Sequence, residues 1–280
     1  MSILVNRSTR IVVHGLGDEA GRRHAADCRA YGAGQRCVVA GVVAGGSVHR
    51  FEGIPIFESV AEARAATGAN ACMVHADAER AGAAIDEAVA AGMPLVVCVG
   101  SGVPLAALGR AGEALRRRGT RLLGPGCAGV LTPDEVRIGS LTDSALQRGR
   151  IGVILRSSAL LAEVARQFRP HGLGASTVVG LADHCHAGLS HLELLQLFEA
   201  DPGTDAVLLV GAIDAEDEAA CADWIARHLD KPVIGWIADS GPAAGQRARL
   251  ASCGAHTTHE LDTLGALVAS VVEPQWLPFD

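Results

Sequence analysis

The feature that most constrains the fold is an alternation of short apolar runs with alanine-rich stretches of helical periodicity. In the first half of the chain, β-branched or apolar runs predict strands at 10–14, 37–43, 71–75, 95–99 and 121–123. Helical periodicity lies between them, most clearly at 79–91 and 105–118. Strands that alternate with helices pair in parallel and are covered on both faces, so the sequence predicts a doubly wound parallel sheet.

The alternation breaks at 132–150, a polar stretch with no strong period. A second series follows, with predicted strands at 151–155, 176–180, 206–210 and 233–237 and helices at about 159–168, 189–199, 216–228 and 261–271. We therefore expect an α/β protein of two domains, since 280 residues suffice for two cores of ordinary size. The predicted limits are 1–132 for a Rossmann-like domain, 133–149 for a linker and 150–280 for a flavodoxin-like domain.

Composition excludes several function classes. The net charge is −7 and the longest basic cluster is 116–118, which argues against a nucleic-acid surface because phosphate neutralisation needs clustered Lys and Arg. No segment approaches the roughly 20 apolar residues of a membrane span, and the first ten residues lack the apolar run of a secretion signal. We therefore expect a cytoplasmic protein that binds neither nucleic acid nor membrane. The eight cysteines have no CxxC spacing, which favours reduced core thiols.

The segment VVHGLGDEAGRRH, 12–24, predicts a strand, a glycine-rich turn and a helix, the arrangement that presents backbone N–H groups to a phosphate. Gly15, Gly17 and Gly21 are spaced GxGxxxG, one residue longer than the usual dinucleotide fingerprint. No acidic residue ends the second strand to hold a ribose, so the pattern argues against NAD. The competing interpretation is that the glycines serve only the turn, while Asp18 and Glu19 cap the helix.

Longer stretches resemble the α subunit of succinate–CoA ligase. The segments that carry the resemblance are MSILVNRSTR (1–10), GIPIFESVAEARAATGA (53–69), GPGCAGVLTP (124–133), RGRIGVILRSSALLAEV (148–164), LELLQLFEADP (192–202) and HLDKPVIGWIA (228–238). Several of them are long and in register. The resemblance implies an N-terminal domain that binds coenzyme A (CoA). It also implies a C-terminal domain with a phosphohistidine, which carries phosphate from a β subunit of the ATP-grasp type.

The CoA site implied by the resemblance is altered in this chain. The cofactor-binding residues that the resemblance implies are Gly15, Gly17, Gly21, Gly45, Gly124, Pro125 and Cys127. The family's phosphate turn GFTGSQG is GLGDEAG here, so two carboxylates replace small hydroxyl and amide donors, and the lysine of the family's PGKGG turn aligns with Gly46. Like charges at a phosphate site lower affinity, so we expect weak CoA binding. The nearby cations that could replace the charge of the lost lysine are Arg22, Arg23 and Arg50, although a surface arginine is more often only solvated.

The family's phosphohistidine relay is missing from the sequence. In the family, the strand that matches KPVIGWIA precedes a loop GHAGAI, whose histidine takes the phosphate, whereas this chain continues as ADSGPAAGQRARLASCG. The glutamate that orients this histidine aligns with Ala212. Ser157 and Ser158 match the family's SRSGT turn and are expected to bind phosphate at a helix N-terminus. The alternative is that they only cap the helix.

The segment ADHCHAGLSH, 182–191, replaces an active-site loop of the family. In extended chain His184 and His186 face one side and Cys185 the other, so the two imidazoles are candidates for acid–base catalysis. Zinc ligation is the alternative, but it needs distant ligands that the sequence does not identify, so we expect no metal. The default for both histidines is exposure to solvent or a satisfied hydrogen bond.

Two functions remain open. In the first, the chain is the α-like subunit of a divergent acid–thiol ligase. An ATP-grasp β-like partner then binds ATP and makes an acyl phosphate from a small carboxylic acid, and this chain supplies the acceptor site without a phosphohistidine. In the second, the chain is a non-catalytic homologue that binds a β-like partner or a nucleotide and regulates or stabilises it. The retained strand-end loops favour the first, and the missing histidine loop favours the second or an altered chemistry.

Overall fold

The computed structural model describes residues 2–32, 36–43, 50–104, 108, 115, 117–141, 146–182, 188–228, 230–238 and 243–272. The chain forms two compact units. The N-terminal unit comprises Leu4–Leu141 and Leu181–Leu189, and the C-terminal unit comprises Met1–Ile3, Thr142–Gly180 and Ser190–Asp280. The stretch predicted as a linker, 133–149, includes a strand, Val136–Gly139. The domain limits 1–132 and 150–280 stay a prediction.

The sheet of the N-terminal unit has the strand order of dinucleotide-binding folds. Its strands are β1 Ile11–His14, β2 Val38–Val42, β3 Arg50–Phe51, β4 Ile54–Phe57, β5 Ala71–Val74, β6 Leu95–Cys98 and β7 Arg121–Leu123. They are arranged as β3-β4-β2-β1-β5-β6-β7, and all neighbours are parallel except β3 and β4. Numbered along the chain, the six parallel strands follow the Rossmann order 3-2-1-4-5-6, which reverses between β1 and β5.

Among the described residues three helices pack on this sheet, and a hairpin belongs to the same unit. The helices are α1 Glu19–Ala30, α2 Val60–Thr67 and α3 Ala78–Ala90, and the hairpin strands are β8 Gly129–Thr132 and β9 Val136–Gly139. The side chains of Ser59 and Asp77 cap α2 and α3 by accepting backbone N–H groups. All four residues of β5 and of β6 are buried, as expected for parallel strands covered on both faces.

The C-terminal unit has a flavodoxin-like sheet. Its strands are β10 Arg148–Leu155, β11 Ala175–Gly180, β12 Ala206–Val210, β13 Val233–Trp236 and β14 His256–Thr258. They pair in parallel in the order β14-β13-β12-β10-β11, which numbered along the chain is the order 2-1-3-4-5. The helices are α4 Ala159–Phe168, α5 His191–Ala200, α6 Ala215–His228, α7 Ala243–Ser252 and α8 Leu264–Val272.

The predicted α/β class, with a Rossmann-like and a flavodoxin-like sheet, is confirmed. Most predicted elements have bounds within one or two residues of those observed, but β3, β4, β8, β9, β14, α2 and α7 were not predicted. The predicted helix 105–118 lies mostly outside the described residues. Within the part of the chain that the structure describes, no helix is long and apolar enough to cross a membrane.

Candidate functional site

The glycine turn joins β1 to α1 at the carboxyl edge of the N-terminal sheet. Gly15 has a φ of +112°, and a Cβ on it would overlap the carbonyl oxygen of His75, which follows β5. A Cβ on Gly21 would overlap the carbonyl oxygen of Gly15. Gly17 is exposed, and a Cβ there would make only ordinary contact, 3.6 Å from Val43 Cγ1. Packing therefore requires Gly15 and Gly21, whereas at Gly17 the backbone is open to a ligand.

Two backbone N–H groups of this turn are not used by hydrogen bonds within the described residues. The amide of Gly15 donates to the Val42 carbonyl at 3.3 Å, and that of Asp18 donates to the Gly15 carbonyl at 3.1 Å. The amides of Leu16 and Gly17 have no acceptor among the described residues. Free amides ahead of a helix N-terminus form an anion-binding arrangement, and the turn retains it.

Asp18 does not cap the helix with its side chain. It occupies the N-cap position of α1 without a side-chain capping bond, so the capping interpretation is wrong for this residue. Its carboxylate lies instead 3.5 Å from Nη2 of Arg80, which is in the first turn of α3. Arg80 is bound more closely by Asp77, with Nη2 at 2.8 Å and Nε at 2.9 Å from Oδ2. Sequence reasoning missed Arg80, because no local pattern connects it to the turn.

Of the arginines named as possible compensation, Arg22 binds the backbone of the turn and Arg23 pairs with one of the two carboxylates. Arg22 donates to the carbonyl oxygen of Gly17 at 2.8 Å, and its guanidinium lies 5.9 Å from the centre of the Phe51 ring. Arg23 pairs with Glu19 at 3.5 Å, one helical turn away. The charge of Glu19 is thus balanced by Arg23 of α1, and the charge of Asp18 is balanced by Arg80 of α3.

The second predicted glycine turn lies on the same edge of the sheet. Gly124 follows β7 with a φ of +94°, and a Cβ on it would overlap the carbonyl oxygen of Cys98 at the end of β6. The amide of Gly126 donates to the Gly100 carbonyl at 2.7 Å, and the thiol of Cys127 donates to the Cys98 carbonyl at 3.2 Å. Since β5 and β6 separate β7 from β1, the turn of Gly124, Pro125 and Cys127 lies about 14 Å from the Gly15 turn.

Three predicted site residues, Gly45, His184 and His186, lie outside the described residues. The described neighbours of the histidines belong to the N-terminal unit and contact its β7 end. Leu189 donates its amide to the Leu122 carbonyl at 2.7 Å. A Cβ on Gly126 would lie 3.8 Å from the Cβ of Ala182.

In the C-terminal unit, Ser157 and Ser158 follow β10 and precede α4. Ser158 is the N-cap residue of α4 but makes no side-chain capping bond, so the alternative capping interpretation is wrong for it. The amides of Ser157 and Ser158 find no acceptor within the described part of the chain. This helix start therefore retains free donors for an anion.

The cation beside these serines is already paired. Arg156 donates from Nη1 to Oδ1 of Asp214 at 2.7 Å, and the same nitrogen lies 3.4 Å from the carbonyl oxygen of Ala212. The pair is largely buried, with side-chain exposures of 14% and 22%. It connects the carboxyl end of β10 to the loop that follows β12.

Sequence reasoning also missed His191, the first residue of α5. It is buried, its amide donates to Oδ2 of Asp217 at 3.1 Å, and its Nδ1 lies 4.0 Å from the same oxygen without a hydrogen-bond partner. Burial lowers the pKa of His191 to about 4, so the ring is neutral at pH 7. The capping box of Ser190 and Glu193 was the sequence pattern that could have located this helix start.

The other described histidines of the C-terminal unit lie away from the start of α4. Three of them precede a strand or begin one and therefore lie at the amino edge of the sheet: His171, His228 and His256. His259 follows β14, three strands from β10, or about 14 Å. Across the described ranges, no three His, Cys, Asp or Glu residues are grouped to hold a metal ion. The described cysteines form no disulfide bonds, and all are buried except the half-buried Cys253.

Comparison with known proteins decides the family. Residues 6–102 match the family model of the CoA binding domain. The α subunit of ADP-forming succinate–CoA ligase from Aquifex aeolicus is 39% identical over 249 residues, which cover 88% of this chain and 81% of that protein. The chain belongs to the succinate–CoA ligase α-subunit family. The α subunit of malate–CoA ligase from Methylorubrum extorquens is 38% identical over 88% of this chain and 84% of its own.

Solved structures share the fold of this member of the succinate–CoA ligase α family. ATP citrate lyase from Methanothrix soehngenii, in complex with citrate and coenzyme A, matches 99% of this chain with a TM-score of 0.85 and 19% identity. The match spans 52% of the lyase chain. A dinucleotide-forming acetyl-coenzyme A synthetase 1 of Ca. Korarchaeum cryptofilum matches 92% of this chain and 60% of its own, with a TM-score of 0.73 and 18% identity.

Proposed function

We propose that the protein is the α-like subunit of an acid–thiol ligase, which acts with an ATP-grasp β-like partner and without a phosphohistidine relay. The observation that carries the proposal is the glycine turn at the switch point of the 3-2-1-4-5-6 sheet, within the residues that match the CoA-binding family. Ligands of such sheets bind outside the carboxyl ends of the strands at the switch point. Membership of the succinate–CoA ligase α family supports the same assignment.

In this proposal CoA binds to the carboxyl edge of the N-terminal unit. The free amides of Leu16 and Gly17 receive a phosphate, and the backbone of the turn of Gly124, Pro125 and Cys127 contacts the pantetheine arm. Gly45 is assigned to the same CoA site on the family resemblance alone. Asp18 and Glu19 repel phosphate in part, so we expect a dissociation constant for free CoA in the high micromolar range or above.

The proposed reaction needs two displacements. A carboxylate oxygen of a small acid attacks the γ-phosphorus of ATP on the partner, and ADP leaves with formation of an acyl phosphate. The CoA sulfur then attacks the acyl carbon, inorganic phosphate leaves, and the thiol proton passes to a base. His184 and His186 are the candidates for that base, and the amides of Ser157 and Ser158 cradle the phosphate.

The absence of a relay is supported by the histidines of the C-terminal unit. A phosphohistidine needs an accessible imidazole oriented by a carboxylate or carbonyl. His191 is buried, and the other described histidines lie at the amino edge or at the far strand β14. The residue aligned with the family's orienting glutamate is Ala212, which has no carboxylate.

Co-purified with its candidate partner, the chain should form ADP and acyl-CoA from ATP, CoA and one of a panel of carboxylic acids. The chain alone should be inactive, because its sequence contains neither a GxxxxGK[ST] loop nor the lysines that usually contact ATP, Lys231 being its only lysine. Acid-dependent turnover by the chain alone would contradict the proposal. His184→Ala and His186→Ala should lower thioester formation, with His256→Ala as the control.

Phosphate transfer gives an independent test. After incubation of the complex with γ-labelled ATP, we expect no acid-labile, base-stable phosphate on this chain. Stoichiometric phosphohistidine, detected by mass spectrometry, would refute the mechanism without a relay.

A non-catalytic function is the second candidate. The observation in its favour is the pair of Arg156 and Asp214, which neutralises the cation beside the phosphate cradle of α4. In this alternative the chain binds a β-like partner or a nucleotide and regulates or stabilises it. A complex that forms but stays inactive with every acid and acceptor would support it.

A further inference from the structure

One ion pair of the N-terminal unit spans the crevice at the switch point. Asp18 belongs to the turn after β1, and Arg80 belongs to the start of α3, which follows β5. These two strands are direct neighbours, with His14 opposite Val74 at their carboxyl ends. In sheets of this order the ligand crosses between these two loops, so the contact of Asp18 with Arg80 lies on the path of the ligand.

The two ends of this ion pair are held with different strength. Asp77 fixes the guanidinium of Arg80 through two short contacts, 2.8 Å and 2.9 Å, and its other oxygen accepts the backbone N–H of Arg80 at 3.0 Å. The carboxylate of Asp18 is farther away, at 3.5 Å, and has no capping bond to hold it. Arg80 is therefore positioned by Asp77, whereas Asp18 is free to leave.

We propose that Arg80 is the cation that binds a phosphate of the ligand in this crevice, and that this phosphate replaces the carboxylate of Asp18. The inference rests on the proposed function and adds a specificity-determining residue for its phosphate-bearing ligand. A guanidinium binds phosphate through parallel N–H donors, and Arg80 adds these to the free amides of Leu16 and Gly17. Loss of the contact with Asp18 costs little, because an exposed ion pair contributes little to stability.

The test measures binding of two probes, inorganic pyrophosphate and CoA, by calorimetry at low salt. Arg80→Gln should weaken the binding of both by about tenfold, the effect of one lost charge-assisted contact. Asp18→Asn should tighten both several-fold, and this gain should shrink in the double variant. Arg118→Gln is the matched control, because Arg118 contacts the carbonyl oxygen of Ala90 at the opposite end of α3. It removes the same charge and should change binding less than twofold.

The outcomes distinguish failure of this inference from failure of the proposed function. If both probes bind and Arg80→Gln has no effect, the inference is overturned and the CoA proposal stands. If pyrophosphate shows the expected pattern but CoA does not bind, the inference stands and the CoA proposal fails. If neither probe binds to any variant, both are overturned. Folding of Arg80→Gln is checked by thermal unfolding, and Asp77 can still accept the backbone N–H of residue 80 in this variant.

Discussion

Each unit has a turn with free amides at the carboxyl edge of a parallel sheet, and each has an arginine–aspartate pair beside it. In the N-terminal unit the pair of Asp18 and Arg80 is 3.5 Å long, with side chains 45% and 64% exposed. In the C-terminal unit the pair of Arg156 and Asp214 is 2.7 Å long, with side chains 14% and 22% exposed. The two pairs have the same chemistry but differ in burial. The buried pair of Arg156 and Asp214 is expected to stabilise the fold, whereas the exposed pair of Asp18 and Arg80 is expected to exchange its partners easily.

The largest loss of stability is expected from a change in the glycine turn of the N-terminal unit, because packing fixes its backbone. Gly15→Ala should lower the free energy of unfolding by about 3 kcal/mol or more, because a Cβ at this positive φ overlaps the carbonyl oxygen of His75. Gly17→Ala is the matched control and should change it by less than about 1 kcal/mol. Urea denaturation measures both. A Gly15→Ala variant as stable as the parent would show that the turn is not fixed by this contact.

The next effect concerns His191, the buried first residue of α5 in the C-terminal unit. The pKa of His191 lies at about 4 in the folded protein, below its ordinary value of 6.5, because burial disfavours the charged ring. The unfolded chain therefore binds the proton more readily, and the stability from the neutral ring is complete above pH 6.5 and lost as the pH falls through 4. The full loss is about 3 kcal/mol.

His191→Phe keeps a ring of similar size but removes the titration. We expect the free energy of unfolding to become less dependent on pH between about 4 and 6.5 in this variant. The exposed His256, changed to Phe in the same way, is the matched control for the change of side chain. An unchanged slope in His191→Phe would contradict a buried, neutral His191.

The smallest effect tests the comparison directly. Arg156→Gln should lower the free energy of unfolding by about 1–2 kcal/mol, because it leaves the half-buried carboxylate of Asp214 without its partner. Arg80→Gln should leave the midpoint of unfolding unchanged, since its pair is exposed. Equal losses in the two variants would show that burial does not distinguish the two ion pairs.

The sheets were predictable because most strands of both units are buried apolar runs with helical segments between them. The exceptions have physical reasons. β4 contains Pro55, which lacks a backbone donor and therefore weakens a strand prediction, and its neighbour β3 has two residues. The hairpin of the short strands β8 and β9 turns at Asp134, which has a φ of +61°, a conformation that the hydrophobic pattern does not reveal.

The candidate site was only partly predictable. The glycine spacing located the turn, since Gly15 and Gly21 are required by packing. The partner of Asp18 was not predictable, because Arg80 is 62 positions away and approaches only when β1 and β5 pair. The burial of His191 likewise depends on how α5 packs, whereas its sequence shows only a residue inside a capping box.

The free, buried cysteines make the opening of each unit measurable without an introduced probe. Burial raises the pKa of Cys28 to about 11 and that of Cys221 to about 12. The thiolate is the nucleophile that attacks an alkylating reagent, so neither side chain reacts at neutral pH until its surroundings open. Cys28 lies on α1 of the N-terminal unit and Cys221 on α6 of the C-terminal unit. Their alkylation rates therefore report the local unfolding of the two units separately, in one sample of the unaltered protein.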